Sequence, residues 1–66
     1  MNITVNGNMR EVKEGISMQE LINELGLQDK VMAAALNMEV VKQENWASCR
    51  LKDKDRVELL DFVGGG

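Results

Sequence analysis

The residues with the clearest chemical meaning stand at the end of the chain, in Gly64-Gly65-Gly66. Three extended residues span roughly 10 Å, and glycines carry no side chain that would clash inside a narrow channel. The backbone carboxylate of Gly66 is therefore a reactive group on a thin tether. A carboxylate resists nucleophilic attack until it becomes an acyl derivative with a good leaving group, such as an acyl-adenylate. We expect Gly66, with Gly65 beside it, to be the site of such chemistry.

Other residue types limit what the rest of the chain can do. The 66 residues contain no His and one Cys, so histidine acid–base catalysis, ordinary catalytic triads and the usual zinc sites are excluded. No phosphate-binding loop followed by Lys and Ser or Thr is present, so a partner must supply activation with MgATP. We predict that the chain alone is not an enzyme and that it binds no cofactor or metal.

Length and charge narrow the partners further. Eight Lys and Arg against eleven Asp and Glu give a net charge of −3, whereas a nucleic-acid-binding surface needs a cationic stripe. No apolar run approaches the roughly 20 residues of a transmembrane helix. With one unpaired thiol and no signal peptide, we expect a single cytoplasmic domain without nucleic-acid or membrane partners.

The first elements form a hairpin. Ile3 and Val5 alternate with polar residues as in a half-buried strand, and Asn6-Gly7 suits a turn that needs positive φ. A two-residue turn would place Ile3 opposite Arg10, and a four-residue loop would place it opposite Val12. We favour the longer loop because it keeps both apolar residues on one face.

One helix follows. Ser17 and Glu20 have the spacing of a capping box, which pairs two otherwise free amide donors. An apolar stripe at helical spacing then begins, and Gly26 suits a left-handed C-cap. Members of the stripe are Met18, Leu21, Ile22 and Leu25.

The second half of the chain is predicted to form three strands. Residues 31–37 and 38–41 are two short strands around a tight turn, although the alanines leave a second helix as an alternative. Residues 43–50 form a polar connection in which Trp46 packs over a satellite cluster. Cys49 is expected to be a small buried hydrophobic residue rather than a sulfur-handling thiol.

The resulting order is β-β-α-β-β-β, with two hairpins flanking a crossover helix and the last strand returning to the middle. This order predicts an α+β fold, a ubiquitin-like β-grasp in which a mixed sheet of about five strands packs on one helix. The domain covers residues 1–63, and residues 64–66 form a flexible tail.

The last strand, predicted over residues 56–63, indicates where a partner docks. Val57 and Leu59 share a face that we assign to the core, and continued alternation points Leu60 and Phe62 outward. Two apolar side chains beside the tail are candidate anchors for an activating enzyme, together with Gly64 in the tail. The alternative is that a loop covers them or that the strand bulges.

The chain resembles the ubiquitin-like sulfur carriers, and among them the ThiS family of thiamine biosynthesis, over essentially its whole length. Gly64 departs from the pattern, since two terminal glycines are the family signature. Residues that carry the resemblance are Met1-Asn2-Ile3-Thr4-Val5-Asn6-Gly7, residues 17–25, Ala35-Leu36-Asn37, Val40-Val41, Glu44-Asn45-Trp46, Asp55-Arg56-Val57 and Gly65-Gly66.

The resemblance implies a series of partners. An adenylating enzyme of the ThiF type, related to ubiquitin-activating proteins, would convert the Gly66 carboxylate to an acyl-adenylate with MgATP. Sulfur from a cysteine-desulfurase pathway would displace AMP and leave a thiocarboxylate. Thiazole synthase, the ThiG type, would take that sulfur for the thiazole ring of thiamine.

Three alternatives remain open at this point. The same activation chemistry serves the small subunit of molybdopterin synthase and other sulfur carriers. A ubiquitin-like modifier would join Gly66 to lysines instead. A non-catalytic binding module or a toxin–antitoxin-like partner would give the glycines no role.

Overall fold

A computed structural model describes residues 1–61 of the protein. The predicted sites at Phe62, Gly64, Gly65 and Gly66 lie outside the described residues. Within them the elements follow the predicted order. They are β1 (Asn2–Val5), β2 (Asn8–Glu11), α1 (Met18–Glu24), β3 (Val31–Leu36), β4 (Glu39–Val41), a 3₁₀ turn (Gln43–Asn45) and β5 (Arg56–Asp61).

The strands form one mixed sheet in the order β2-β1-β5-β3-β4. β5 lies in the middle, as the sequence predicted, and it is parallel to β1 and antiparallel to β3. The two hairpins therefore flank β5, which is the last strand in the sequence. The apolar side chains of α1 and of the sheet's inner face make one core, which confirms the predicted α+β fold.

The register predicted for the first hairpin is wrong. A two-residue turn joins β1 to β2, and Ile3 lies opposite Arg10 rather than Val12. Asn6 and Gly7 take φ values of 49° and 85°, so the turn chemistry outweighs the apolar pairing rule. Val12 is nevertheless a buried core residue, and its amide donates to the carbonyl of Met1 at 2.8 Å just beyond β2.

The helix prediction is confirmed at both ends. Ser17 Oγ accepts from the Glu20 amide at 3.0 Å, and Glu20 Oε1 accepts from the Ser17 amide at 2.9 Å. After Leu25, Gly26 takes φ 73°, and the amide of Leu27 donates to the carbonyl of Ile22 at 3.1 Å, a Schellman ending. Seven residues of helix depend on packing for their stability, which the buried side chains of Met18, Leu21 and Ile22 provide.

The core includes Trp46, which is 2% exposed and belongs to the main cluster rather than to a satellite one. Its Nε1 donates to the carbonyl of Val41 at 2.9 Å, so the indole is a packing residue with its polar atom satisfied. Within residues 1–61, no helix has the length and apolar character needed to cross a membrane.

Candidate functional site

The end of β5 is the part of the described structure that leads to the glycines. Val57 is fully buried and Leu59 is 8% exposed, whereas Leu60 is 59% exposed. β5 itself is regular, so the predicted alternation of buried and exposed side chains holds as far as Leu60. Leu60 is therefore a large apolar side chain on the outer face of the sheet, six residues before the chain's last residue.

Leu60 has apolar neighbours on that face. It lies opposite Ala33 on β3, and Ala35 lies opposite Glu58 on one side and Val40 on the other. Val40 is 77% exposed. We call Ala33, Ala35, Val40 and Leu60 the outer apolar surface. A shallow depression of about 340 Å³ lies over it, because the two alanines are much smaller than the side chains on either side.

An irregularity in β3 lies beside Leu60. The register of β3 against β5 shifts between Val31 and Ala33, so Met32 is an extra residue in the ladder, and its side chain is 56% exposed. A bulge of this kind bends a strand and redirects its side chains. A bulge in β5 was the alternative for the outward direction of Leu60 and Phe62, whereas the observed bulge lies in β3.

Most of this surface was not predicted from the sequence. Alternation along β5 identified Leu60, but no docking role was assigned to Val40 or to the alanines. Alternation along β4 alone could have placed Val40 and Val41 on different faces of the sheet. The contribution of Ala33 and Ala35 depends on cross-strand pairing, which the sequence pattern of a single strand does not contain.

Asn6 was also missed, although it is bound to the end of β5. Its Oδ1 accepts a hydrogen bond from the amide of Leu59 at 2.8 Å, and its Nδ2 donates to the carbonyl of Leu59 at 3.2 Å. Asn6 thus holds the residue that immediately precedes Leu60. An Asn-Gly pair signals a turn, but nothing local in the sequence indicates that the asparagine side chain reaches a strand 53 residues away.

Asn37 has a similar position at the other end of β5. Its Oδ1 accepts from the amide of Arg56 at 2.9 Å, and its Nδ2 donates to Oδ1 of Asp55 at 3.0 Å. Like Asn6, it opens a two-residue hairpin turn, with φ 50°. The beginning and the end of β5 are each held by one asparagine side chain.

Cys49 has the environment of a structural residue. It is half-buried against the core, and desolvation, with a smaller effect of the Asp55 charge, raises the pKa of its thiol. Because the thiolate is the nucleophilic form of cysteine, a raised pKa lowers its reactivity at neutral pH. Among residues 1–61, no three His, Cys, Asp or Glu side chains are grouped so that they could hold a metal ion.

Known proteins with similar sequences and structures are consistent with this geometry. Residues 3–66 match the model of the ThiS family. The crystal structure of a thiamine biosynthesis protein (ThiS) from Geobacter metallireducens superimposes with a TM-score of 0.81 at 37% identity, over 100% of both chains. The sulfur carrier protein ThiS of Escherichia coli is 29% identical over 66 residues, which is 100% of each chain.

A second kind of relative is much longer. The thiazole synthase of Paramagnetospirillum magneticum is 30% identical over 66 residues. That match takes in 100% of this chain and 20% of the synthase, so the chain spans one fifth of that relative's length.

Proposed function

The chain belongs to the ThiS family, and from that premise we propose that it is a sulfur carrier for thiazole formation in thiamine biosynthesis. The observation that carries the proposal is an exposed apolar surface around Leu60 at the end of the strand that leads to Gly64-Gly65-Gly66. A carrier needs such a surface beside its reactive end, because a partner must hold the domain while it works on the terminus.

The chemistry takes place at the carboxylate of Gly66. One carboxylate oxygen attacks the α-phosphorus of MgATP in the active site of the ThiF-type adenylating enzyme, and pyrophosphate leaves. The terminal sulfur of a persulfide from a cysteine-desulfurase pathway then attacks the acyl carbon, and AMP leaves with the electron pair of the broken C–O bond, which gives an acyl disulfide. A thiol reductant supplies the two electrons that break the S–S bond of this acyl disulfide. The product is a thiocarboxylate with its sulfur at the sulfide level.

The carrier is a co-substrate in this scheme rather than a catalyst. Thiazole synthase takes the sulfur from the thiocarboxylate, and an oxygen atom from the sulfur acceptor or from water replaces it, so that the carboxylate of Gly66 is restored. The similarity of the whole chain to one fifth of a thiazole synthase supports this pairing, since a carrier-like module and a synthase occur there in one polypeptide. We place the protein in the cytoplasm and expect MgATP to be bound by the partner, not by the carrier.

The outer apolar surface is suited to transient docking. Its members are small or aliphatic, and Glu58 is the charged residue that lines the same depression. A large apolar side chain that fills a pocket on a partner can dominate the binding energy of an interface. Leu60 is the best-placed residue for that role, because it is both exposed and next to the tail.

The test of the carrier chemistry is intact mass. After incubation with the adenylating enzyme, MgATP and a sulfide source, the protein gains about 16 Da when the terminal OH becomes SH. Deletion of Gly65 and Gly66, which leaves a single terminal glycine, abolishes the gain. A modifier would give lysine-linked adducts, and a passive binding module would show no change, so either of those results rejects the carrier function.

The test of the docking surface is Leu60→Asp, with Met9→Asp as its matched control. Met9 is 78% exposed and lies on β2, two strands away from β5. Both variants place a carboxylate at an exposed position of a strand, so both keep their stability within about 0.5 kcal/mol. Adenylation falls at least about tenfold in Leu60→Asp, as expected for a hot-spot residue, and stays unchanged in Met9→Asp. Equal rates in the two variants would show that the partner docks elsewhere.

A further inference from the structure

The sheet loses one neighbour of β5 before β5 ends. The parallel pairing of β1 with β5 extends to Val5 opposite Val57, and the amide of Asn6 donates to the carbonyl of Val57 at 2.9 Å. At Asn6 the backbone turns away into the first hairpin. The backbone of β1 therefore offers nothing to the amide and carbonyl of Leu59.

The side chain of Asn6 takes over at this point. In a parallel ladder, the next acceptor and donor for Leu59 would come from the backbone of a continuing β1. Here the carboxamide supplies both, accepting from the Leu59 amide at 2.8 Å and donating to its carbonyl at 3.2 Å. Asn6 therefore extends the ladder by one residue of β5 without any further β1 backbone.

Leu59 is the last described residue of β5 that is held on this side. Leu60 and Asp61 pair with β3 alone. Loss of the Asn6 side chain would move the last held point on the β1 side back from Leu59 to Val57. Leu60 would then lie at a strand end whose backbone is held less firmly.

We propose that Asn6 is a positioning residue for the chemistry at Gly66. It fixes the backbone at Leu59, so that Leu60 at the end of β5 is presented to the adenylating enzyme in one orientation. This inference rests on the proposed carrier function. Asn6 touches no reacting atom, and it acts through the backbone of β5.

The expected kinetic effect follows from where the ordering takes place. In Asn6→Gly, the end of β5 must be ordered during each docking event, which costs conformational entropy that the folded wild-type protein has already lost. The KM for the carrier in the adenylation reaction rises roughly five- to tenfold. The kcat stays within about twofold, because the docked complex holds the same reacting groups.

Asn37→Gly is the matched control. It removes the same side chain from the same place in the other hairpin turn, with φ 50° against 49° for Asn6. It frees the amide of Arg56, three residues before Leu59 and away from the outer apolar surface. Glycine tolerates positive φ at both sites, so both variants fold and lose similar stability.

The experiment measures adenylation kinetics and amide hydrogen exchange in the full chain. The kinetic probe is the ThiF-type adenylating enzyme of the same organism with MgATP, followed by pyrophosphate release. Exchange at Leu59 accelerates in Asn6→Gly alone, and exchange at Arg56 accelerates in Asn37→Gly alone. The KM rises in Asn6→Gly and stays at the wild-type value in Asn37→Gly.

Two results would overturn the proposal in distinguishable ways. Equal KM values in the two glycine variants, with the wild type fully active, would reduce Asn6 to a structural residue and leave the carrier function intact. A wild-type chain that is never adenylated would reject the carrier function, and the positioning role would be rejected with it.

Discussion

The two ends of β5 are held by the same device but border different parts of the molecule. Asn6 and Asn37 each open a two-residue turn at nearly the same φ, and each side chain bonds to the backbone of β5. The Asn37 end leads back into the charged turn around Lys54, whereas the Asn6 end leads to Leu60 and the outer apolar surface. One device thus serves stability at one end and presentation at the other.

The turns also differ in their second residue. Gly7 takes φ 85° without strain, while Met38 takes φ 76°, a region that side chains with a Cβ seldom enter. Left-handed backbone costs an ordinary residue about 1–2 kcal/mol. The hydrogen bonds of Asn37 are of the same order, about 0.5–1.5 kcal/mol each. The second hairpin therefore tolerates at Met38 a strain that the first hairpin avoids.

The largest effect is expected when both asparagines are removed. Asn6→Gly and Asn37→Gly each break two hydrogen bonds, so the double variant loses about 2–6 kcal/mol of unfolding free energy. Arg56 and Leu59 stand about 10 Å apart along a strand, and the two asparagine side chains share no partner, so the losses should add within about 0.5 kcal/mol. Urea unfolding of the wild type, the two single variants and the double variant measures this double-mutant cycle. A double variant that loses much less than the sum would show that the two asparagine side chains stabilise β5 as one unit.

The same contrast explains how far the sequence alone reaches. Features whose partners lie close together in the chain were predicted correctly, including the Ser17–Glu20 capping box, the left-handed C-cap at Gly26 and the outward direction of Leu60. In each case the relevant period or spacing is confined to one element.

Features that depend on distant partners were missed or wrong. The register of the first hairpin followed the preferences of Asn6 and Gly7 for positive φ, and an apolar pairing rule could not reveal that. The bond from Asn6 to Leu59 spans 53 residues, so it exists only once β1 and β5 are neighbours. The predicted chemistry at Gly66 remains a prediction, since it lies outside the described residues.

A substitution in the first turn tests the contrast between the second residues. Gly7→Ala places a Cβ in open space, so only the backbone conformation is penalised. We expect a loss of about 1 kcal/mol, because the left-handed strain is partly offset by a less flexible unfolded chain. Thermal unfolding should show a decrease of about 4–8 °C in Tm. An unchanged Tm would mean that the turn shifts to another type at little cost.

The reverse substitution in the second turn should have the opposite sign. Met38 is 75% exposed, so Met38→Gly removes strain with little loss of packing. The gain is about 0.5 kcal/mol, smaller than the relief of strain because glycine also makes the unfolded chain more flexible. Urea midpoints measured with Gly7→Ala alongside give both signs in one experiment. A destabilised Met38→Gly would show that the exposed methionine contributes contacts that its burial does not reveal.

The smallest effect is expected at Glu20, whose carboxylate caps the helix and can titrate, unlike the side chains of the two asparagines. The hydrogen bond from the Ser17 amide, followed by the one from Lys13 Nζ at 3.2 Å, lowers the pKa of Glu20 below its ordinary value of 4.5. A lowered folded-state pKa gives stability that is fully present above the unfolded-state pKa and is lost as the pH falls through the folded-state value. Glu20→Gln removes this dependence while an amide oxygen still accepts from Ser17.

The wild type and Glu20→Gln should therefore differ more in urea midpoint at pH 7 than at pH 3. As the pH falls through the folded-state pKa, the carboxyl of Glu20 becomes protonated and resembles the amide that replaces it, so the two proteins converge. The Asn6→Gly variant serves as the control, because both hydrogen bonds of the Asn6 side chain join uncharged groups and their loss should leave a gap from the wild type that does not close with pH. A gap for Glu20→Gln that stays constant from pH 7 to pH 3 would show that the Glu20 carboxylate charge adds nothing to the cap, and that Glu20, like Asn6, acts as a neutral hydrogen-bonding group.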